Sequence, residues 1–129
     1  MEKHSRSNLP DQKRLNELMK EIKTKANLLG VLLSYKDGRL LAKAIAEELN
    51  LKEFVPMIAS VLKSAEGLGE SIGEKEVKKI ITHLKNCTII ISQFRQKSLF
   101  LTFLLDHDSL IEPILKEIDN YLRKIKKIV

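Results

Sequence analysis

The chain has 129 residues, of which 43% are hydrophobic, and it carries a formal net charge of +6. This length and apolar content suffice for one globular domain with its own core, and they exclude a wholly disordered chain. The single cysteine, Cys87, excludes an internal disulfide, and no apolar run reaches the roughly 18 residues of a membrane span. We expect a soluble, cytoplasmic domain over residues 10–129, preceded by a frayed terminus over residues 1–9.

The positive charge is concentrated at the two ends of the chain. Residues 1–26 hold seven basic and four acidic side chains, and residues 109–129 hold five and three. The cluster Arg123, Lys124, Lys126 and Lys127 is a candidate patch for nucleic acid or an anionic membrane. A solvated helix face with cations near its C-terminus explains the cluster better, because few aromatic residues are available to stack on bases. We therefore expect no nucleic-acid binding.

The first two predicted elements are a helix and a hairpin. From about residue 10, Leu, Met and Ile recur at helical spacing on one side, with Asp11 as a candidate N-terminal cap. Two apolar runs then flank Asp37-Gly38. This pattern predicts strands at Val31–Tyr35 and Arg39–Ile45, joined by a two-residue type I′ turn.

The most apolar segment with helical period runs from Phe54 to Ile72. Gly73 is its predicted stop, and Pro56 is expected in the first turn, where a missing N–H costs least. The apolar arc of this helix is expected to pack on the sheet, and it comprises Met57, Leu68, Phe54, Ala65, Ile72, Leu62 and Val55. A stripe of small residues beside the arc would let a second helix approach closely. This stripe comprises Ser60, Ser64, Gly67 and Ser71.

Three strands and a helix complete the chain. The strands are predicted at Val77–Leu84, Cys87–Gln93 and Leu99–Leu105, the last of them buried on both faces. Ser109 and Glu112 form an S-x-x-E capping-box pattern at the start of the final helix, Leu110–Lys127. The order αββαβββα predicts an α+β fold: a single five-stranded, mostly antiparallel sheet with helices on both faces.

Catalytic, cofactor and metal motifs are not found in the sequence. The glycines between Gly67 and Gly73 match neither phosphate-binding loop pattern, and they end a helix instead of following a strand. Cys87 has no activating neighbour along the chain. The triplet from Asp106 to Asp108, with His107 between, is better explained as a solvated loop than as a metal site. We therefore expect no enzyme activity and no cofactor.

Several stretches of the chain resemble the roadblock (dynein light-chain) family. LLGVLLSYKDGRLLAKAI resembles its opening hairpin, and EFVPMIASVLKSAEGLGESIG resembles its long second helix. EVKKIITHLKNCTIIISQ and SLFLTFLLD resemble its last three strands. The similarity extends from about Leu15 to Ile125, and it implies the roadblock/profilin-like architecture.

The resemblance also implies a dimer, with a second copy or with a similar roadblock protein. In such a dimer the third strand pairs with its twin and the two long helices lie side by side. The implied interface comprises Ser60, Ser64, Gly67, Ser71, Lys78, Ile80 and Thr82.

The function that the resemblance implies is that of a non-enzymatic platform that binds or regulates a small Ras-like GTPase. The implied contact residues lie on the exposed side of the long helix: Lys63, Glu66 and Glu70. Two other functions stay open at this point. One is a structural subunit of a larger complex that docks through its terminal helices, and the other is a basic nucleic-acid-binding module.

Overall fold

The secondary structure follows the predicted order αββαβββα. A computed structural model describes residues 11–46, 49–74, 76–94 and 98–129, so the predicted frayed segment 1–9 lies outside the described residues. The elements are α1 (Gln12–Lys25), β1 (Gly30–Tyr35), β2 (Leu40–Ile45), α2 (Leu51–Ser71), β3 (Lys79–His83), β4 (Cys87–Gln93), β5 (Leu99–Asp106) and α3 (Glu112–Lys126). β3 is shorter at both ends than the predicted strand Val77–Leu84.

The five strands form one antiparallel sheet in the order β2-β1-β5-β4-β3. β5 is the middle strand, and its residues from Leu99 to Leu105 are all buried, as the unbroken apolar run predicts. β2 and β3 are the two edges of the sheet. Within the described part of the chain, β3 is therefore paired on its β4 side only.

Helices cover the sheet on both faces, and each face has its own core. On one face, α1 and α3 pack apolar side chains such as Leu15 and Ile118 around Phe103 of β5. On the other face, α2 packs Leu62 and its neighbours against Phe100 of β5. Phe100 and Phe103 face opposite sides because side chains alternate along a strand.

α1 begins as predicted. The Arg14 backbone N–H donates a hydrogen bond of 3.1 Å to Asp11 Oδ1, so Asp11 is the N-cap. The buried face of α1 comprises Leu15, Leu18, Met19 and Ile22.

Tyr121 of α3 belongs to the same core as α1. Its ring centroid lies 6.0 Å from that of Phe103, and burial raises the pKa of its hydroxyl.

The β1–β2 connection differs from the predicted type I′ turn. Tyr35 N–H donates to Arg39 O (2.8 Å) and Gly38 N–H donates to Tyr35 O (3.0 Å), which encloses a loop of residues 36–38. Gly38 has φ +94°, whereas Asp37 is not among the residues with positive φ that a type I′ turn would require. The Arg39 backbone N–H donates to Asp37 Oδ1 (3.0 Å), and this hydrogen bond holds the pKa of the Asp37 carboxyl below its usual value.

α2 begins at Leu51, so Pro56 is its sixth residue and lies in the second turn, where the sequence prediction placed it in the first. Pro56 has no N–H to give to the carbonyl of Lys52, but both residues are exposed, so water can reach that carbonyl. The predicted stop at Gly73 is confirmed, with φ +84°. Glu74 N–H donates to Gly69 O (2.8 Å) and Gly73 N–H donates to Glu70 O (3.1 Å), the two bonds of a Schellman motif.

The predicted capping box at Ser109 is wrong. α3 begins at Glu112, its N-cap position is Ile111, and no side chain caps it. With Ser109 as the N-cap, Leu110 would be the first helical residue and Pro113 the fourth. The N–H of the fourth residue makes the first intrahelical hydrogen bond, and proline has no N–H. The observed start places Pro113 among the first residues, where the missing N–H costs nothing.

These two helix starts predict different effects of the same kind of substitution. Asp11→Ala should lower the free energy of unfolding by about 1 kcal/mol, because it removes the hydrogen bond that caps α1. Ser109→Ala should change it by less than about 0.5 kcal/mol, because the Ser109 side chain caps no helix. Urea unfolding followed by circular dichroism measures both, and a larger loss for Ser109→Ala would contradict the observed start of α3.

Candidate interaction surface

The central helix α2 presents two apolar surfaces, of which only one packs on the sheet. Val55, Ile58 and Leu62 are buried against the sheet. Three large apolar side chains of the same helix and that of its C-cap residue Ile72 are exposed, with relative accessibilities of 59% for Met57, 46% for Val61, 73% for Leu68 and 76% for Ile72. The prediction that the whole apolar arc packs on the sheet is therefore wrong for Met57, Leu68 and Ile72.

Helix geometry explains why the arc divides. At 100° per residue, the apolar positions from Met57 to Val55 span about 160° of the helix wheel. A stripe of about 100° is typical of a helix that faces a core on one side. The remainder of the arc turns away from the sheet. We call Met57, Val61, Leu68 and Ile72 the outer apolar stripe.

The predicted small-residue stripe lies beside the outer apolar stripe. Its four members, Ser60, Ser64, Gly67 and Ser71, are all exposed. A Cβ atom built on Gly67 would meet nothing within 4 Å, so the space over Gly67 is open. Gly69 differs, because its Cβ would lie 2.6 Å from the carbonyl oxygen of Glu74. The protomer itself therefore requires glycine at position 69 and leaves position 67 free of internal contacts.

The backbone of β3 has one side bonded to β4 and one side facing outward. Gln93 N–H donates to Lys78 O (3.3 Å) and Leu84 N–H donates to Cys87 O (2.8 Å). Because bonded and unbonded positions alternate in an antiparallel pair, Ile80 and Thr82 also bond to β4. The outward N–H and C=O groups belong to the intervening residues, Lys79, Ile81 and His83.

Ile80 and Thr82, the two residues of β3 that were predicted to lie in the dimer interface, are on the side of the sheet that α2 covers. Ile80 is half-buried and packs against the core under α2, and Thr82 lies on the same face two residues later. Ile81 points to the opposite face and is 41% exposed. The sequence pattern did not single out Lys79, Ile81 and His83, because only the register of β3 against β4 tells which backbone groups face outward.

The charged residues predicted to contact a partner differ in their surroundings. Lys63 and Glu70 are exposed on α2, away from the sheet. Glu66 is less exposed, and its Oε2 lies 2.8 Å from Nζ of Lys36 at the end of the β1–β2 hairpin. Glu66 is thus held by the protomer, whereas Lys63 and Glu70 take part in no ion pair between described residues.

The chemistry-bearing side chains are dispersed. His83 Nδ1 lies 3.1 Å from Thr88 Oγ1, and Cys87 is half-buried as a free thiol. His107 lies between the carboxylates of Asp106 (2.9 Å) and Asp108 (3.3 Å) in an exposed loop. Over residues 11–46, 49–74, 76–94 and 98–129, no group of three or more His, Cys, Asp or Glu side chains could hold a metal ion. No helix of these segments has the length and apolar character to cross a bilayer.

A known family model matches most of the chain. The model of the Roadblock/LC7 domain matches residues 14–103. The chain belongs to the Roadblock/LC7 domain family. This finding confirms the resemblance that the hairpin, the long helix and the last strands carry in the sequence. A comparison with curated proteins finds no match.

Several solved structures share the fold over most of this chain. Myxococcus xanthus MglB is 19% identical with a TM-score of 0.77, and the alignment covers 90% of this chain and 97% of that one. A structure described as MglB with tetrameric arrangement is 15% identical with a TM-score of 0.81, covering 91% and 88%. A Roadblock/LC7 domain from Streptomyces avermitilis is 12% identical with a TM-score of 0.79, covering 88% and 95%. At these identities the likeness establishes the roadblock fold alone.

A matched pair of substitutions tests the division of α2 into two surfaces. Leu62→Ala should lower the free energy of unfolding by about 2 to 5 kcal/mol, because it leaves a cavity under the helix. Leu68→Ala should change the unfolding of the isolated protomer by less than about 0.5 kcal/mol, because Leu68 lies outside the core. Denaturant unfolding at low protein concentration measures both, and equal losses would place Leu68 in the core.

Proposed function

We propose that this roadblock domain is a dimeric, non-enzymatic platform for a small Ras-like GTPase. The observation that carries the proposal is the outer apolar stripe of α2. A soluble protein rarely leaves a row of large apolar side chains in water unless another surface covers it. A second copy of α2, with its own small-residue stripe beside it, offers such a surface.

The free edge of β3 supports the dimer independently of α2. An edge strand is a template for a further strand, and a two-fold dimer requires a register that is its own reciprocal. The outward groups of Lys79, Ile81 and His83 meet this condition when Ile81 pairs with its own copy and Lys79 pairs with the copy of His83. We propose this register, in which the two sheets become one.

The terminal helices have less apolar surface to offer a partner. The apolar stripes of α1 and α3 lie against the sheet, with Leu15, Ile22 and Ile118 fully buried. Lys124 of the basic cluster lies 3.6 Å from Glu21 of α1, so part of that cluster joins the two helices. These contacts favour the dimeric platform over a subunit that docks through its terminal helices.

We infer the GTPase partner from the family, because roadblock proteins bind or regulate small Ras-like GTPases. We place the contact on the solvent side of the paired helices, at Lys63 and Glu70, with Glu66 beside them held by Lys36. The domain would present its surface without contributing an active site of its own. Of the predicted interface residues, Ile80 and Thr82 belong, in this proposal, to the strand that joins the two protomers, and Lys78 directly precedes that strand.

Two proline substitutions distinguish the outward side of β3 from its inward side. Ile81→Pro removes an outward N–H and should weaken the dimer by about tenfold or more, while the protomer stays folded, because proline is tolerated where an edge N–H faces outward. Thr82→Pro removes an N–H that bonds to β4 and should lower the thermal midpoint of the protomer. Light scattering over a concentration series gives the dimer constant, and circular dichroism gives the midpoint.

Gly67→Leu provides a second variant on the helix side of the proposed interface. A Cβ atom at this exposed position meets nothing within 4 Å, so folding should be little affected while the dimer weakens. A chain that stays dimeric with both Ile81→Pro and Gly67→Leu would overturn the proposed interface.

Charge reversal tests the GTPase contact. The probe is the small Ras-like GTPase encoded nearest to this chain, loaded with GDP or with a non-hydrolysable GTP analogue. Lys63→Glu combined with Glu70→Lys should reduce its binding by about tenfold in calorimetry. The control, Glu17→Lys with Lys20→Glu on exposed positions of α1, preserves net charge in the same way and should have little effect. Absence of binding in both nucleotide states would overturn the proposed function.

A further inference from the structure

A groove opens on the face of the sheet opposite α2. It has a volume of about 430 Å³ and lies between the second half of α3 and the adjacent ends of β3 and β4. Its lining residues from α3 are Asp119, Leu122, Arg123 and Lys126. Those from the start of β3, the end of β4 and the residues next to them are Glu76, Val77, Lys78, Lys79, Ser92, Gln93 and Phe94. None of the surfaces proposed for the dimer or the GTPase contact includes the α3 side of this groove.

The two walls of the groove are both basic. Arg123 and Lys126 stand on the α3 side, and Lys78 and Lys79 belong to the strand side. None of these four makes an ion pair with another residue that the structure describes. Two acidic residues, Glu76 and Asp119, also line the groove. The groove therefore has an excess of positive charge that is divided between two separate elements.

The floor of the groove differs from its walls. Ser92 is the cross-strand neighbour of Lys79, so both side chains face the groove side of the sheet, and Ser92 is only 2% exposed. Phe94 is buried nearby, and Leu122 of α3 is half-buried. A ligand that fits must combine negative charge toward both walls with an apolar part between them.

The length of the groove suits a short extended chain. Its α3 wall runs from Asp119 to Lys126, which is about 10 Å of helix at 1.5 Å per residue. An extended peptide covers this length with about three residues. Successive side chains of such a peptide point in opposite directions, so its carboxylates can reach toward both walls.

We propose that this groove binds an extended acidic segment of a partner protein, with carboxylates beside Arg123, Lys126 and Lys79 and an apolar side chain beside Leu122. Nucleic acid fits less well, because the one aromatic ring in the lining, that of Phe94, is too buried to stack on a base. A bilayer surface also fits less well, because it would contact the outer parts of the two walls and would not reach the floor of the groove. The first ten residues of the chain, MEKHSRSNLP, carry more basic than acidic side chains and do not have the required charge.

The test uses the whole chain and a fluorescein-labelled peptide, Gly-Glu-Glu-Leu-Glu-Glu-Gly, in fluorescence anisotropy. Arg123→Glu combined with Lys126→Glu should weaken binding of the peptide by about tenfold or more. The matched control is Lys116→Glu with Lys127→Glu, which makes the same change in net charge on the same terminal segment but outside the groove, and it should weaken binding less than about threefold. Both variants should keep the thermal midpoint of the parent chain, because all four residues lie at the surface.

Three comparison ligands complete the experiment. The same peptide with Gln in place of Glu should bind about tenfold more weakly, and inorganic phosphate should compete only in the millimolar range. A single-stranded deoxythymidine decamer and vesicles containing phosphatidylserine should show no dependence on the groove substitutions. The proposal is overturned if the peptide does not bind, if the control variant weakens binding as much as the groove variant, or if the oligonucleotide or the vesicles bind more tightly than the peptide with the same dependence on Arg123 and Lys126. The substituted residues Arg123 and Lys126 lie outside the surfaces proposed for the dimer and for the GTPase, so failure of this test leaves those two proposals standing.

Discussion

The burial of β5 on both faces is the constraint on which the rest of this structure depends. A strand with apolar side chains in both directions is stable only when both faces of its sheet are covered. α1 and α3 share one face, where Phe103 lies, and α2 alone covers Phe100 on the other. Because α2 is the single helix on that face, only the side of α2 that faces the sheet is buried. Its outer apolar stripe stays exposed, and this stripe is the surface proposed for the dimer.

The same asymmetry accounts for two kinds of surface on one small domain. On the α2 side of the sheet, the outer apolar stripe of the helix is not covered by any other part of the described chain. On the opposite side, α1 and α3 cover the sheet except near β3, where the groove opens. In that gap lysine and arginine outnumber the acidic residues Glu76 and Asp119, and the floor includes Ser92, Phe94 and Leu122. In the two proposals, one side of the sheet associates by burying apolar area, and the other selects its partner by charge.

Sequence patterns with a single local interpretation predicted the structure correctly. Positions at which two patterns favour different structures did not. Asp11 and Gly73 each have one local partner arrangement, and both behave as the sequence indicates. Asp37-Gly38 suits a two-residue or a three-residue loop, and the choice depends on the register of β1 against β2. At α3, Pro113 competes with the capping pattern of Ser109 and determines the start. Periodicity identified the apolar residues of α2 but could not say how wide a strip the sheet would cover, nor which backbone groups of β3 face outward.

The β1–β2 hairpin lies close to α2 at two places along the helix. A Cβ atom on Gly38 would come within 3.4 Å of the Pro56 backbone, and farther along the helix Lys36 bonds to Glu66 over 2.8 Å. The ion pair is partly exposed and contributes at most about 1 kcal/mol, and the closeness of Gly38 to Pro56 leaves little space between loop and helix. Together with the buried residues Val55, Ile58 and Leu62, the hairpin opposes rotation of the helix about its own axis. α2 is thus oriented before it meets any other surface, and association need not offset the entropy of fixing that orientation.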